Sequence, residues 1–379
     1  METALACIDR REPEMLQFWK DLVEIESPSS HKPGVDAVGQ AIAGFCEKEL
    51  GWHIRFQEDP VYGNCLAVCS CPFEAYRNGI ALSAHMDTVH PLGSFRPVLR
   101  EDEDYLYGPG AGDCKGGVVL CLLTALALKE AGYQKRPIKL LFAADEESGG
   151  PTGRVFYPRE LAGSDYLFNA ESGIRDKLVT GRKASLIAVY EITGVPAHIG
   201  YLAGTPKSAI REAARKLLAL EDASDYEDLT FCGGVIQGGT VATSVPGSCR
   251  LEVNVRIRDL GSVEKALAIL QKEADTVYVP GTATTLTLRG TPFPMEETEE
   301  NRELCRKFSQ ASEALGFGSF APCFVGGASD AAHAAKMGIP VVCASGPVVD
   351  FQHTLNERVL KRSMAQRAKI HVSTIIQYL

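Results

Sequence analysis

Side chains that can bind a divalent metal ion follow several apolar runs of this sequence. They are His85, Asp87, Asp113, Glu146, Glu147, Glu171 and His353. Imidazole nitrogens and carboxylate oxygens are the ligands that zinc takes in hydrolases. Two histidines and three carboxylates suit a pair of zinc ions in which one carboxylate is shared. This leaves Asp87 to orient a histidine and Glu146 available as a general base.

The segment GIALSAHMD places His85 and Asp87 at the end of a short apolar run. Residues i and i+2 of a strand point to the same side, so the imidazole and the carboxylate share one face. A histidine that binds a metal usually donates its other ring N–H to an acceptor such as a carboxylate. The alternative is a hydrogen-bonded histidine at a strand end with no metal.

The segment GPGAGDCKGG contains Asp113 within a glycine-rich turn. The glycines allow a tight turn and a close approach of the backbone to another group. The N-terminus of the following helix favours the ionised carboxylate. A phosphate-binding loop is excluded, because the spacing GxxxxGK[ST] is absent. The remaining alternative is an aspartate that only caps a helix.

Three acids, Asp145, Glu146 and Glu147, follow the apolar run IKLLFAA. They would repel one another without a compensating cation. Adjacent side chains diverge, so Glu146 and Glu147 can have different tasks. A solvated acidic turn is the alternative here. Glu171 after YLFNA and His353 in FQHTLNE also have ordinary structural alternatives when each is considered alone.

The elements that must position these residues form an alternating series of strands and helices. Strands are predicted over 79–85, 138–144, 166–170 and 340–344, and helices over 12–25, 39–50, 116–130 and 299–315. This order predicts an α/β domain with a largely parallel sheet. The carboxyl ends of parallel strands form the binding crevice, which is where the candidate ligands lie.

The pattern changes after about Val179. Strands over 184–193, 231–238, 248–259 and 282–289, with helices over 206–220 and 263–274, give the order β-α-β-β-α-β of a ferredoxin-like α+β domain. We therefore predict a catalytic domain of residues 1–179 and 291–379, interrupted by an inserted domain of residues 180–290.

The composition of the chain excludes some partners. A formal net charge of -9 argues against nucleic acid and anionic membranes. The longest apolar run, residues 118–128, is too short to span a bilayer. Twelve cysteines are spread over the chain without an export signal, so free thiols in a reducing cytoplasm are predicted rather than disulfides.

The motifs HMDTV, GDCKGG and DEESGG, the isolated Glu171 and the terminal His-x-x-x-Glu together resemble the aminoacylase and glutamate carboxypeptidase family of di-zinc exopeptidases. That family also includes acetylornithine deacetylase, succinyl-diaminopimelate desuccinylase and several dipeptidases. The resemblance runs in order from about His85 to Glu357. It implies a metal-dependent hydrolase that cleaves a peptide or N-acyl amino acid, with two Zn²⁺ per subunit or Co²⁺ or Mn²⁺ as substitutes.

The resemblance also implies a role for each site residue. His85 and Glu171 would bind one zinc ion, Glu147 and His353 the other, and Asp113 both. Glu146 would be the general base and Asp87 would hold His85. In the inserted domain the resemblance implies a homodimer, a histidine, His198, that steadies the oxyanion in the partner subunit, and an arginine, Arg289, that binds a substrate carboxylate. Outside that domain, Gly327 would lie in the substrate-facing glycine turn.

Two residues depart from the pattern of the family. Ser244 stands where an asparagine is common, so the oxyanion contact or the substrate fit is expected to differ. Glu171 resembles the carboxypeptidase branch, whereas other branches have aspartate there. A glutamate carboxypeptidase is therefore expected first and an N-acyl amino acid deacylase or dipeptidase second. A non-catalytic metal-binding relative is the alternative from a different class.

Overall fold

The computed structural model describes all residues from Met1 to Leu379. The chain folds into two compact units. The first comprises Met1–Gly181, Glu297–Val325 and Ser329–Leu379, and the second comprises Arg182–Glu296 and Gly326–Ala328. The assignment of a catalytic role and a dimerisation role to the predicted ranges stays a prediction.

The regular elements of both units are numbered in chain order. The helices are α1 (Glu2–Glu24), α2 (Lys32–Phe45), α3 (Lys115–Glu130), α4 (Gly153–Glu160), α5 (Ala209–Glu221), α6 (Gly261–Asp275), α7 (Glu299–Ala314), α8 (Ala331–Lys336) and α9 (Arg362–Tyr378). The strands are β1 (His53–Gln57), β2 (Cys65–Cys69), β3 (Gly79–His85), β4 (Arg100–Glu101), β5 (Tyr105–Tyr107), β6 (Ile138–Ala143), β7 (Ser164–Asn169), β8 (Lys177–Arg182), β9 (Ala184–Thr193), β10 (Ala197–His198), β11 (Leu229–Gly238), β12 (Ser244–Val245), β13 (Ser248–Ile257), β14 (Ala283–Thr291), β15 (Ala321–Val325), β16 (Val341–Val342), β17 (Val349–Asp350) and β18 (Arg358–Leu360).

The core of the first unit is a six-stranded sheet in the order β1-β2-β6-β3-β7-β16. The strands β6, β3, β7 and β16 are parallel, whereas β1 and β2 are antiparallel to their neighbours. Every residue of β3 is buried. Strands covered on both faces have continuous apolar runs, which explains why GIALSAH identified this strand from the sequence.

Two groups of helices pack on this sheet. Helices α1, α3 and α9 contact one another, and α3 also contacts β3. Helices α4 and α8 contact one another, and they contact β6 and β7 respectively. Helix α3 is apolar on all sides, and it is buried from Lys115 to Leu128.

The first helix is longer than predicted. It begins at Glu2 rather than Glu12, and Ala4, Cys7 and Ile8 continue its buried face at helical spacing. Pro13 lies inside the helix, where it removes one backbone hydrogen bond. The packing of the apolar face outweighs that loss, so the proline does not mark the start of the helix.

The second unit has a four-stranded antiparallel sheet in the order β11-β13-β9-β14. With α5 between β9 and β11, and α6 between β13 and β14, it has the predicted ferredoxin-like topology. Alternate residues of β13 are buried, as expected when one face of a sheet packs against helices. Neither unit contains a helix whose length and hydropathy would suit a membrane span.

Candidate metal centre

Three neighbouring parallel strands end beside the predicted ligands. His85 is the last residue of β3, the acidic pair Glu146 and Glu147 follows β6, and Glu171 follows β7. Since β3 lies between β6 and β7, their carboxyl ends meet at one edge of the sheet. Asp113 reaches the same place from the turn that precedes α3.

The first group of candidate ligands surrounds the His85 imidazole. Its Nε2 is 3.1 Å from Asp113 Oδ1 and 3.7 Å from Glu171 Oε1. Cys114 joins this group, since one ligand atom from each of the four residues lies within 4.8 Å of the others. All four residues are buried, and the Cys114 thiol donates to the Ala170 carbonyl at 3.2 Å.

The second group of candidate ligands surrounds His353. Its Nε2 is 3.2 Å from Asp113 Oδ2 and 3.3 Å from Glu147 Oε1. The two oxygens of Asp113 therefore face different histidines. The side chain of His353 is 55% exposed, so this side of the centre is open to solvent.

The electrostatics of the centre favour positive charge between these groups. Burial opposes ionisation of Asp113, but the hydrogen bonds from His353 and His85 hold the pKa of its carboxyl well below the usual range. Burial raises the pKa of Glu147 to about 7, although the hydrogen bond from His353 opposes that rise. The hydrogen bonds to Asp113 and Glu147 raise the pKa of the His353 imidazole to about 10.

The donor atoms fit divalent metal ions. Each group combines an imidazole nitrogen with carboxylate oxygens, which is a donor set suited to zinc and its neighbours in the first transition series. The carboxylates already stabilise positive charge at both imidazoles. Metal ions bound between the same residues would supply positive charge that these carboxylates attract.

Asp87 holds the first histidine and the acidic turn together. Its Oδ1 is 3.3 Å from His85 Nδ1 and accepts the Glu146 amide at 3.2 Å. Its Oδ2 accepts the Glu147 amide at 3.1 Å and the Ser29 hydroxyl at 2.6 Å. The Asp87 backbone carbonyl is closer still to His85 Nδ1, at 3.0 Å, so both parts of Asp87 orient His85. Its carboxylate also fixes the backbone of the residues that carry the other acids.

Glu357 fixes the backbone on the other side of the centre, and the sequence did not reveal this role. Its Oε1 accepts the amides of Gly112 and Asp113 at 3.0 and 3.1 Å, and its Oε2 is 2.9 Å from His90 Nε2. The spacing His-x-x-x-Glu is visible in the sequence. Only the fold shows that this buried carboxylate faces the turn that carries Asp113.

Two glycines at the start of α3 allow the turn of Asp113 to pack closely. A Cβ on Gly117 would lie 2.0 Å from the Ala170 carbonyl oxygen, next to Glu171. A Cβ on Gly116 would lie 2.6 Å from the Trp19 ring. The Trp19 indole N–H donates to the Ala111 carbonyl at 2.8 Å. The pair of glycines in GDCKGG therefore allows the first turn of α3 to lie against α1 and against the residue that follows β7.

The remaining predicted residues belong to the second unit. His198 is exposed, and it pairs across strands with Ser244, the residue that departs from the family pattern. The Gly200 amide donates to His198 Nδ1 at 3.1 Å. The Gly327 carbonyl accepts a hydrogen bond from Arg182 Nε at 2.6 Å.

Arg289 lies on β14 and already has a carboxylate partner within its own unit. Its Nη2 is 2.6 Å from Glu252 Oε2, and Glu252 also pairs with Arg250 at 2.6 Å. A guanidinium has five N–H donors, so one ion pair leaves others available. The side chain is 48% exposed.

Comparison with known proteins identifies the family. A model described as Peptidase family M20/M25/M40 matches residues 81–377, which include every predicted site residue. The chain belongs to peptidase family M20/M25/M40.

One relative and two solved structures are similar to this chain over most of its length. Carboxypeptidase G2 of Pseudomonas sp. (strain RS-16) is 28% identical over 347 residues, which are 88% of this chain and 82% of that protein. A tripeptidase from Staphylococcus aureus has a TM-score of 0.75 and 23% identity, with 96% of this chain and 97% of the other covered. An M20 family metallo-carboxypeptidase from Sulfolobus solfataricus has a TM-score of 0.76 and 15% identity, with 96% and 98% covered.

Membership of the M20/M25/M40 family confirms two predictions made from the motifs. The chain is a hydrolytic enzyme of the metallopeptidase class, and its family is the one that the motifs resemble. The two solved structures confirm the fold class, a mostly parallel α/β sheet with an inserted α+β unit.

Proposed function

We propose that this M20/M25/M40 peptidase is a two-zinc exopeptidase of the carboxypeptidase type, acting on a peptide or N-acyl amino acid that ends in a free α-carboxylate. The observation that carries the proposal is the position of Asp113. One of its oxygens is 3.1 Å from His85 and the other is 3.2 Å from His353. A carboxylate placed between two imidazole–carboxylate groups is suited to bind two metal ions at once.

In this proposal His85 and Glu171 hold one zinc ion, Glu147 and His353 hold the second, and Asp113 is shared. The bound zinc ions supply Lewis-acid activation of water and of the scissile carbonyl. Asp87 keeps His85 in the tautomer that presents Nε2 to the centre, because His85 Nδ1 faces Asp87. Co²⁺ and Mn²⁺ are proposed as substitutes for zinc.

Glu146 acts as the general base in this proposal. Its backbone is anchored by Asp87, and it lies in the same cluster as His85 and Glu147. Burial and the negative charge of Glu171 raise the pKa of the Glu146 carboxyl. A base with a raised pKa is able to take a proton from water and to return it to the leaving amine near neutral pH.

The carboxypeptidase proposal has support from the sequence and from a relative. Glu171 resembles the carboxypeptidase branch, and the relative that is similar over 88% of this chain is named carboxypeptidase G2. An N-acyl amino acid deacylase is the second candidate. It is supported by a succinyl-diaminopimelate desuccinylase from Gluconacetobacter diazotrophicus, which is 27% identical over 58% of this chain and 62% of its own length.

Arg289 is proposed to bind the α-carboxylate of the substrate, and Gly327 to lie in the substrate-facing turn. Replacement of Arg289 with alanine is expected to lower kcat/KM by about 10- to 100-fold, because a hydrogen-bonded ion pair with the substrate is lost. The measurement is a panel of C-terminal dipeptides and N-acyl amino acids, each with a free or an amidated α-carboxylate, assayed with zinc, cobalt and manganese.

The matched control for this panel is Arg250→Ala. Arg250 is half-buried on the same sheet and pairs with the same Glu252, as well as with Glu191, so its loss changes the charge around Glu252 in the same direction. The Arg289→Ala variant should lose the preference for the free carboxylate, and the Arg250→Ala variant should keep it. If the Arg289→Ala variant keeps the preference for the free carboxylate, Arg289 does not bind the substrate carboxylate. That result would not bear on the proposed metal centre.

We also propose that the inserted unit forms a homodimer and that His198 steadies the oxyanion in the site of the partner subunit. In support, β11 is an edge strand, and Val235 and Ile236 on it are 38% and 47% exposed. Light scattering of the active protein is expected to give the mass of a dimer. A fully active monomer would contradict this part of the proposal.

A cytoplasmic location is proposed as well. It is supported by the cysteines, all twelve of which have free thiols. Fractionation that finds the enzyme outside the cytoplasm would contradict it.

A further inference from the structure

A cleft of about 270 Å³ lies in the first unit, beside the start of α9. Three of the ten residues that line it are arginines, Arg175, Arg362 and Arg367, and none is an aspartate or glutamate. A concave surface with three cations and no acid attracts anions. No residue of the candidate metal centre lines this cleft.

Arg367 is the most unusual of the three arginines. It is 2% exposed and has no ion pair with a carboxylate. Its Nη2 donates to the carbonyls of Ile174 and Arg175, its Cζ lies 4.2 Å above the Phe320 ring, and its Nη1 is buried without a hydrogen-bond partner. Burial lowers the pKa of this guanidinium to about 9. A buried cation with an unused donor is stabilised by a bound anion.

The N-terminus of α9 opens into the same cleft. Arg362 is the first residue of this 17-residue helix, and no side chain caps it. The first turn of α9 contains no acid, and Arg362 forms no ion pair. Unpaired amides and the positive end of the helix dipole favour an anion at this position.

The charges near the other lining residues do not cancel this attraction. Arg175 is 3.8 Å from Asp350, but Asp350 also pairs with Arg358 at 3.1 Å and does not line the cleft. Most of the remaining wall is apolar, and Phe317 on it is 37% exposed. A ligand of this cleft therefore needs a negatively charged group and an apolar body.

We propose that the cleft at the start of α9 binds a small organic carboxylate with an apolar group, with the carboxylate at Arg362 and Arg367 and the apolar group against Phe317 and Ile370. This site is separate from the metal centre and does not depend on the proposed reaction. The Arg367 guanidinium also donates to the carbonyls of Ile174 and Arg175, which lie a few residues beyond Glu171. A ligand in the cleft would therefore contact the arginine that supports the segment after Glu171.

The probe for this proposal is 3-phenylpropionate, titrated into the metal-loaded enzyme labelled with ¹³C at its isoleucine δ-methyl groups. Ile370 lines the cleft and belongs to neither group of the candidate metal centre, so its methyl resonance is a local reporter of binding in the cleft. We expect the Ile370 resonance to shift in a saturable manner, with 3-phenylpropanol and sodium chloride at equal ionic strength producing no such shift.

The decisive variant is Arg362→Gln, because Arg362 has no partner whose loss would disturb the fold. It should raise the Kd for 3-phenylpropionate, measured from the Ile370 methyl resonance, by about tenfold. The control variant Arg306→Gln, in an exposed ion pair on α7, should leave the Kd unchanged. An Ile370 resonance that does not move, or an equal Kd in wild type and Arg362→Gln, would overturn the proposal.

Discussion

The Glu146→Ala variant is expected to lose essentially all turnover and to keep its metal ions. General base catalysis typically contributes 10²- to 10⁴-fold, so a loss of about 10³-fold is expected in kcat. The metal ions should remain, because His85, Asp113, Glu147, Glu171 and His353 are unchanged. The measurement combines kcat on a cleaved substrate with metal content by inductively coupled plasma mass spectrometry.

A suitable control is Glu103→Ala, an exposed acid in the turn between β4 and β5. It should retain both activity and metal. If Glu146→Ala keeps more than a few per cent of wild-type activity, then Glu146 is not the base. If it loses metal as well, Glu146 is a ligand rather than a base.

The Asp113→Asn variant is expected to lose metal from both positions. The amide keeps the shape of the carboxylate but removes its charge and replaces one acceptor oxygen with an NH₂ donor. The two oxygens of Asp113 face His85 and His353, so both positions lose a ligand in one substitution. Activity should fall by at least about 10²-fold, the scale seen when metal binding is disturbed.

The comparison variant is His353→Ala, which removes a ligand from only one of the two groups. Metal content after desalting should be lower in Asp113→Asn than in His353→Ala. Circular dichroism and the apparent Tm of each variant, measured with added chelator, separate loss of metal from loss of fold. Equal metal content in the two variants would mean that Asp113 is not shared.

Much of the clustering of the candidate ligands was predictable from the sequence, because several of them follow buried strands. Strands β3, β6 and β7 are short apolar runs, and parallel strands that start together end together. The side chains that follow these three strands therefore lie close together, and this does not depend on the detailed geometry of the loops. His353 was predicted to follow the strand over 340–344, but β17 and a turn lie between β16 and this histidine, so its position depends on the path of that segment.

The parts that the sequence did not reveal depend on contacts between distant segments. The strands β1 and β2 and the helix α9 were not predicted, and the start of α1 was placed ten residues too late. The contact of Glu357 with the Asp113 turn joins residues 244 positions apart. No local periodicity carries such information.

The ion pair of Arg289 with Glu252 is a second example. It joins side chains on β14 and β13, which are separated in the sheet by β9. The alternating pattern of each strand predicts which residues share a face, but the order of strands decides which charges become neighbours. Arg289 was identified from its motif in the sequence. Its ion-pair partner, Glu252, could be identified only once the order of the strands in the sheet was known.

Anomalous diffraction at the zinc edge, from crystals of the enzyme grown with zinc, tests whether Asp113 is shared by two metal ions. Two peaks are predicted beside the Asp113 carboxylate, one also touching His85 and Glu171 and the other also touching Glu147 and His353. A single peak, or two peaks that do not share Asp113, would contradict the account.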